Sequence, residues 1–171
     1  MKCIKLPCHG FSMIELMVSC SIVSIILAIS SPSFTKLLAT GERDNRLFLL
    51  KSHLMYSRIF AINNNTNVTV CPLDSGECSD LWHKEISIFV DYDKNQKLNG
   101  EDYLLKIIGK INKNHTFTYP RNAITYKPDG SISGFQSGSF IYCLPEYLTL
   151  EGKRITMSQA GRIKLQSTNK C

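Results

Sequence analysis

Hydrophobic and polar positions along this chain change period twice. Over residues 11–29 apolar residues run almost unbroken, the length a helix needs to cross a bilayer. Pro32 follows, where a continuing helix would lose one backbone hydrogen bond and kink. Beyond it Phe34, Leu37, Leu38, Leu47, Leu50 and Leu54, together with Phe48, Met55, Ile59 and Ile62, recur at three- and four-residue spacing. Lys36, Arg43, Arg46, Lys51 and Arg58 occupy other faces. The pattern predicts an amphipathic helix over 33–63 whose apolar stripe needs a sheet to cover it. NNNTN at 63–67 breaks that helix, and the period then falls to two. NVTVC, ISIFVDYD, YLLKIIGKI, TFTY, AITYK, SFIYC, RITMS and RIKLQ are short, rich in β-branched and aromatic residues, and separated by Gly, Pro, Asn and Asp turns.

These elements define an α+β protein. A long N-terminal helix, half membrane-spanning (11–32) and half amphipathic (33–63), packs on an antiparallel β-rich domain over 64–171. A chain of 171 residues suits one domain plus an anchor. The net charge of +6 is compatible with lipid, nucleic acid or an acidic partner and does not choose among them.

Cysteine positions carry more information. Cys3 and Cys8 precede the apolar run and Cys20 lies within it, whereas Cys71, Cys78, Cys143 and Cys171 form an even set in the β-rich part. Cys71 and Cys78 flank the turn-rich LDSGE, so a local bridge closes easily and leaves Cys143 to pair with Cys171. Such bridges place the domain in an oxidising compartment outside the cytoplasm. No Cys-x-x-Cys is present and the four histidines are scattered, which argues against zinc.

Lys2 and Lys5, with no acid in the first ten residues, orient the N-terminus to the cytoplasm. An ordinary secretory signal would be cut at Ala28-Ile29-Ser30, releasing a soluble disulfide-bonded protein that begins at Ser31. Glu15 speaks against that scheme. A carboxylate at membrane depth costs on the order of 3 kcal/mol and demands a partner.

The stretch GFSMIELMV closely resembles the processing signal of type IV pilins and type II secretion pseudopilins. The resemblance implies a leader over 1–10, cleavage between Gly10 and Phe11 by a prepilin peptidase, and N-methylation of Phe11. Glu15 would be the family's acidic residue, there to meet the new amine of a neighbouring subunit and to neutralise both charges. A proline such as Pro32 is also common in the family. Downstream, residues 68–71, Cys78, Trp82, residues 89–95, Pro128-Asp129-Gly130 and Ser158-Gln159-Ala160-Gly161-Arg162 follow in the order found in H-type pseudopilins and FimT/FimU-like minor pilins. The implied protein is a filament subunit whose partners are other pilin subunits, the peptidase and inner-membrane lipid. It would sit in the bacterial inner membrane as a single-pass protein with its C-terminal domain in the periplasm, and then in a pilus or pseudopilus.

Two segments carry candidate chemistry. DYDKNQKLNGED places Asp91, Asp93, Asn95 and Asp102 at spacings near those of a calcium loop, but Gln96 stands where the sharp turn wants glycine and Asp102 replaces a bidentate glutamate. A polar hairpin is the competing expectation, and no cofactor or resident metal is expected. In RIKLQ, Arg162 and Lys164 are two apart and share a face that suits phosphates. Some FimT-like pilins bind DNA through G-R-x-R during natural transformation, and Gly161-Arg162-Ile163-Lys164 resembles it, with lysine in the last place. No GxSxG, P-loop or HExxH is present, so no enzyme is expected.

Overall fold

The computed structural model describes residues 11–147 and 150–171. Cys3, Cys8 and Gly10 lie outside the described residues. Helix α1, Met13–Asn63, runs on through position 32. The chain divides into two compact units at Gly41.

In the first unit α1 begins with a capping box. The Glu15 amide donates to Ser12 Oγ at 3.2 Å, and the Ser12 amide donates to Glu15 Oε2 at 3.5 Å. Within the apolar run Ser19, Ser21 and Ser24 turn their hydroxyls back onto the carbonyls of Glu15, Met17 and Cys20 at 2.7 to 3.0 Å. Each polar group is thereby satisfied inside its own helix, as lipid requires. By length and composition this part of α1, with mean hydropathy 2.2, suffices to cross a membrane.

In the second unit α1 meets the sheets along one stripe. Leu47, Leu50, Leu54, Ser57 and Ala61 are buried, a three-four alternation that keeps one face inward. The apolar residues one step round the helix behave differently: Phe48 is 71% exposed, and Met55, Ile59 and Ile62 are also exposed. The expectation that a sheet covers the whole apolar set therefore holds for Leu47, Leu50 and Leu54 alone, since Phe34, Leu37 and Leu38 are exposed as well. Neighbours on a helix are rotated by about 100°, so Leu47 and Phe48 cannot face the same sheet. The helix ends in a Schellman motif. Asn65 adopts φ 50°, Thr66 N donates to Ala61 O at 3.1 Å and Asn65 N donates to Ile62 O at 3.4 Å.

Among the described residues nine strands follow: β1 Val68–Asp74, β2 Glu77–Cys78, β3 Ile86–Val90, β4 Tyr103–Ile108, β5 Thr116–Thr118, β6 Ile124–Tyr126, β7 Gly138–Cys143, β8 Gly152–Met157 and β9 Ile163–Thr168. The eight expected segments each contain one, and β2 is the addition. It is two residues long and forms where the Cys71–Cys78 disulfide folds β1 back on itself, with Leu73 opposite Cys78. The strands make two antiparallel sheets, β2-β1-β3-β4 with β6 alongside β1, and β5-β7-β8-β9. The Cys143–Cys171 disulfide ties the C-terminus to β7. Both expected pairings are present.

Between the sheets lies an aromatic cluster. Trp82 is buried edge-on against Tyr119 and Phe140, and its indole N–H donates to the Arg121 carbonyl at 2.6 Å. Burial pushes the Tyr142 hydroxyl up to about 12, so it stays protonated beside His115 Nδ1 at 2.8 Å.

Candidate functional site

The carboxylates of the 91–102 loop converge. Ligand oxygens of Asp91, Asp93 and Asp102 lie within 4.8 Å of one another, as the spacing anticipated. Their hydrogen bonds describe a polar hairpin. Asp91 is fully buried and accepts from Thr69 Oγ1 at 2.7 Å and from the amides of Asn95 and Gln96 at 3.1 and 3.2 Å. Asp102 accepts from the Tyr92 amide at 2.9 Å, and the Asn95 side chain is shared between Asp93 and the Lys97 amide. Thr69 continues the network to Thr125 at 2.8 Å, linking β1 to β6. The loop is thus pinned to the middle of the first sheet.

Burial pushes the Asp91 carboxyl above its ordinary value of 3.8, against the pull of the Thr69 and Gln96 bonds. The folded state therefore holds this proton more tightly than the unfolded chain does. Stability contributed by Asp91 is greatest below 3.8 and declines as pH rises through the raised folded value. Urea unfolding from about pH 4 to about pH 7 is expected to show wild type losing stability relative to Asp91→Asn as pH rises, and a rising difference would contradict this. Asp44 has the opposite sign. Burial opposes its ionisation, but hydrogen bonds from Arg43 and Lys153 outweigh burial and hold it below the ordinary value.

Arg162 and Lys164 are both exposed, and no hydrogen bond or ion pair engages either side chain among the described residues. Arg162 precedes β9. Its carbonyl accepts from the Ser158 amide at 3.0 Å, opposite the start of the Met157–Ile163 pairing. Leu165, expected on the opposite face, is 38% exposed, so burial along β9 does not alternate cleanly.

The turn before them is where distant segments meet. Gly130 and Gly161 adopt φ of 75° and 74°, and a Cβ on Gly161 would lie 2.3 Å from the Gly130 carbonyl oxygen. Arg58 on α1 donates from Nε to the Gly130 carbonyl at 2.8 Å and from Nη2 to the Ala160 carbonyl at 3.1 Å. One arginine thus clamps both turns to the helix. Composition and spacing did not single out Arg58. A lone basic residue on an amphipathic helix reads as a solvated one.

An apolar helix with a satisfied start, followed by a helical stripe sealed by a two-sheet, disulfide-tied domain, defines a pilin-like subunit. Residues 49–161 match the family model described as type II transport protein GspH, and residues 6–31 match the prokaryotic N-terminal methylation motif. The chain belongs to the GspH family. No curated protein matches it. Among solved structures it resembles the type IV minor pilin FimU of Pseudomonas aeruginosa strain PAO1 in two crystal forms. One match has 19% identity, TM-score 0.61, and covers 78% of this chain and 97% of that one. The other has 19% identity, TM-score 0.58, and covers 75% and 98%. The minor pseudopilin EpsH of the Vibrio cholerae type 2 secretion system matches at 11% identity and TM-score 0.53, covering 74% of this chain and 97% of EpsH. These structural likenesses carry the fold.

Proposed function

We propose that the chain is a minor subunit of a type IV pilus or a type II secretion pseudopilus. It is made as a precursor, cut between Gly10 and Phe11 by a prepilin peptidase and methylated on Phe11. The apolar part of α1 then anchors it in the inner membrane, with the β domain in the periplasm, until it joins other pilin subunits. One observation carries the proposal: the methylation motif and the GspH match occur in order on one chain, the first of them on a helix apolar enough to cross a membrane. The uncovered face of Phe48, Met55 and Ile59 supports packing against further subunits. No catalytic step is assigned to it.

Mass spectrometry of the N-terminal peptide from membranes is the test. A methylated Phe11 is expected. A mature N-terminus at Ser31 would instead identify a secreted soluble protein and overturn the assignment.

A further inference from the structure

A cleft of about 500 Å³ opens in the β domain between the end of β1, the segment before β3 and the β4–β5 connection. Its wall is mainly apolar, with Leu73 half-buried and Ile111 buried. Around that wall stand three ammonium groups, Lys84, Lys110 and Lys113, against one carboxylate, Glu85. Lys84 is shared with Asp74 at 3.7 Å, whereas Lys110 and Lys113 have no ion-pair partner among the described residues. The backbone that carries the lysines is held in place. The Ile111 amide donates to the His83 carbonyl at 3.0 Å, and Arg46 on α1 donates to the carbonyls of Gly109 and Lys110. The cations therefore project from a fixed backbone, and only their side-chain rotamers need be ordered when a ligand is met.

We propose that this cleft binds an acidic peptide segment of a partner protein, taking one apolar side chain against Leu73 and Ile111 and flanking carboxylates on Lys110 and Lys113. The volume lies in the range of sites that enclose a few side chains. Charge complementarity selects the carboxylates, and the apolar wall selects a peptide over nucleic acid. A phosphodiester backbone has no apolar side chain to fill the recess, and phosphates are better met by an open cationic surface such as that of Arg162 and Lys164. Every residue lining the cleft belongs to the β domain, and the inference draws on none of the residues named for processing or assembly.

The test uses the full chain in neutral detergent and a fluorescein-labelled Asp-Glu-Leu-Glu-Asp peptide, read by anisotropy. Binding is expected to weaken as salt rises from about 50 to about 300 mM. The double variant Lys110→Glu/Lys113→Glu is expected to weaken it about tenfold or more, and Arg162→Ala/Lys164→Ala to leave it unchanged. Replacing the central leucine by serine is expected to cost about tenfold through lost apolar burial. The lysines are exposed, so their reversal spares the core, and an unchanged thermal transition checks this. Three outcomes overturn the proposal: no peptide binding at millimolar concentration, equal affinity of the double variant, or equal affinity of the serine peptide. A single-stranded oligonucleotide whose binding alone depends on Lys110 and Lys113 would likewise overturn it in favour of nucleic acid.

Discussion

Glu15→Gln is expected to insert in the membrane at normal levels yet fail to enter filaments. Two roles meet at Glu15, and this substitution separates them. The capping box needs a side-chain oxygen at the third helical position, which glutamine supplies as well as glutamate does. The proposed contact with a neighbouring subunit's amine needs the negative charge. Leaving that amine unpaired in an apolar setting costs about 3 kcal/mol or more, roughly a hundredfold in incorporation. Glu15→Ala loses both roles, but its cap contributes only about 1 kcal/mol, so it should assemble scarcely worse than Gln. Immunoblots of sheared filaments against the membrane fraction provide the measurement. Wild-type incorporation of Glu15→Gln would reduce Glu15 to a helix cap and remove the ion pair from the assembly scheme.

Gly161→Ala is expected to destabilise the β domain by roughly 2–4 kcal/mol. Two costs add. A left-handed φ of 74° is strained for alanine, and the new Cβ would meet the Gly130 carbonyl oxygen at 2.3 Å and Arg58 Nε at 2.8 Å. The oxygen is backbone and cannot swing away. One of the clamped turns must move, which also breaks the Arg58 bond to Gly130 or to Ala160. Chemical denaturation followed by near-ultraviolet dichroism of Trp82 reads the loss. A change within about 0.5 kcal/mol would mean that the two turns are free to separate. Gly134, with φ 53° and no atom near its would-be Cβ, serves as the control and should lose only the conformational part.

These two cases differ in how far the chain alone announces them. The glycine, aromatic and glutamate of Gly10, Phe11 and Glu15 fall within six consecutive residues, and their meaning is a matter of order along a short stretch. Gly161 is visible as a turn residue, but its neighbour is Gly130, brought up by a different hairpin. Asp91 similarly reads as one of several loop acids, and only the approach of Thr69 and Thr125 makes it the buried one. The short strand β2 eluded periodicity because two residues have no period. It exists through the Cys71–Cys78 closure and the bond from the Cys78 amide to the Gln96 carbonyl at 3.1 Å.

By itself the chain of residues determined the local and periodic features: a membrane-length helix start, the Leu47, Leu50 and Leu54 stripe, the eight principal strands, both disulfide pairings and the processing signal. Each depends on spacings within one segment or on pairing by elimination. Tertiary structure decided which side of the amphipathic helix is covered, which acid is buried, why Gly161 has no room for a side chain, and where lysines from two separate segments line one cleft. Those depend on distances between segments that no period encodes, because hydrogen bonds and close contacts act over a few ångströms of space whatever the separation along the chain.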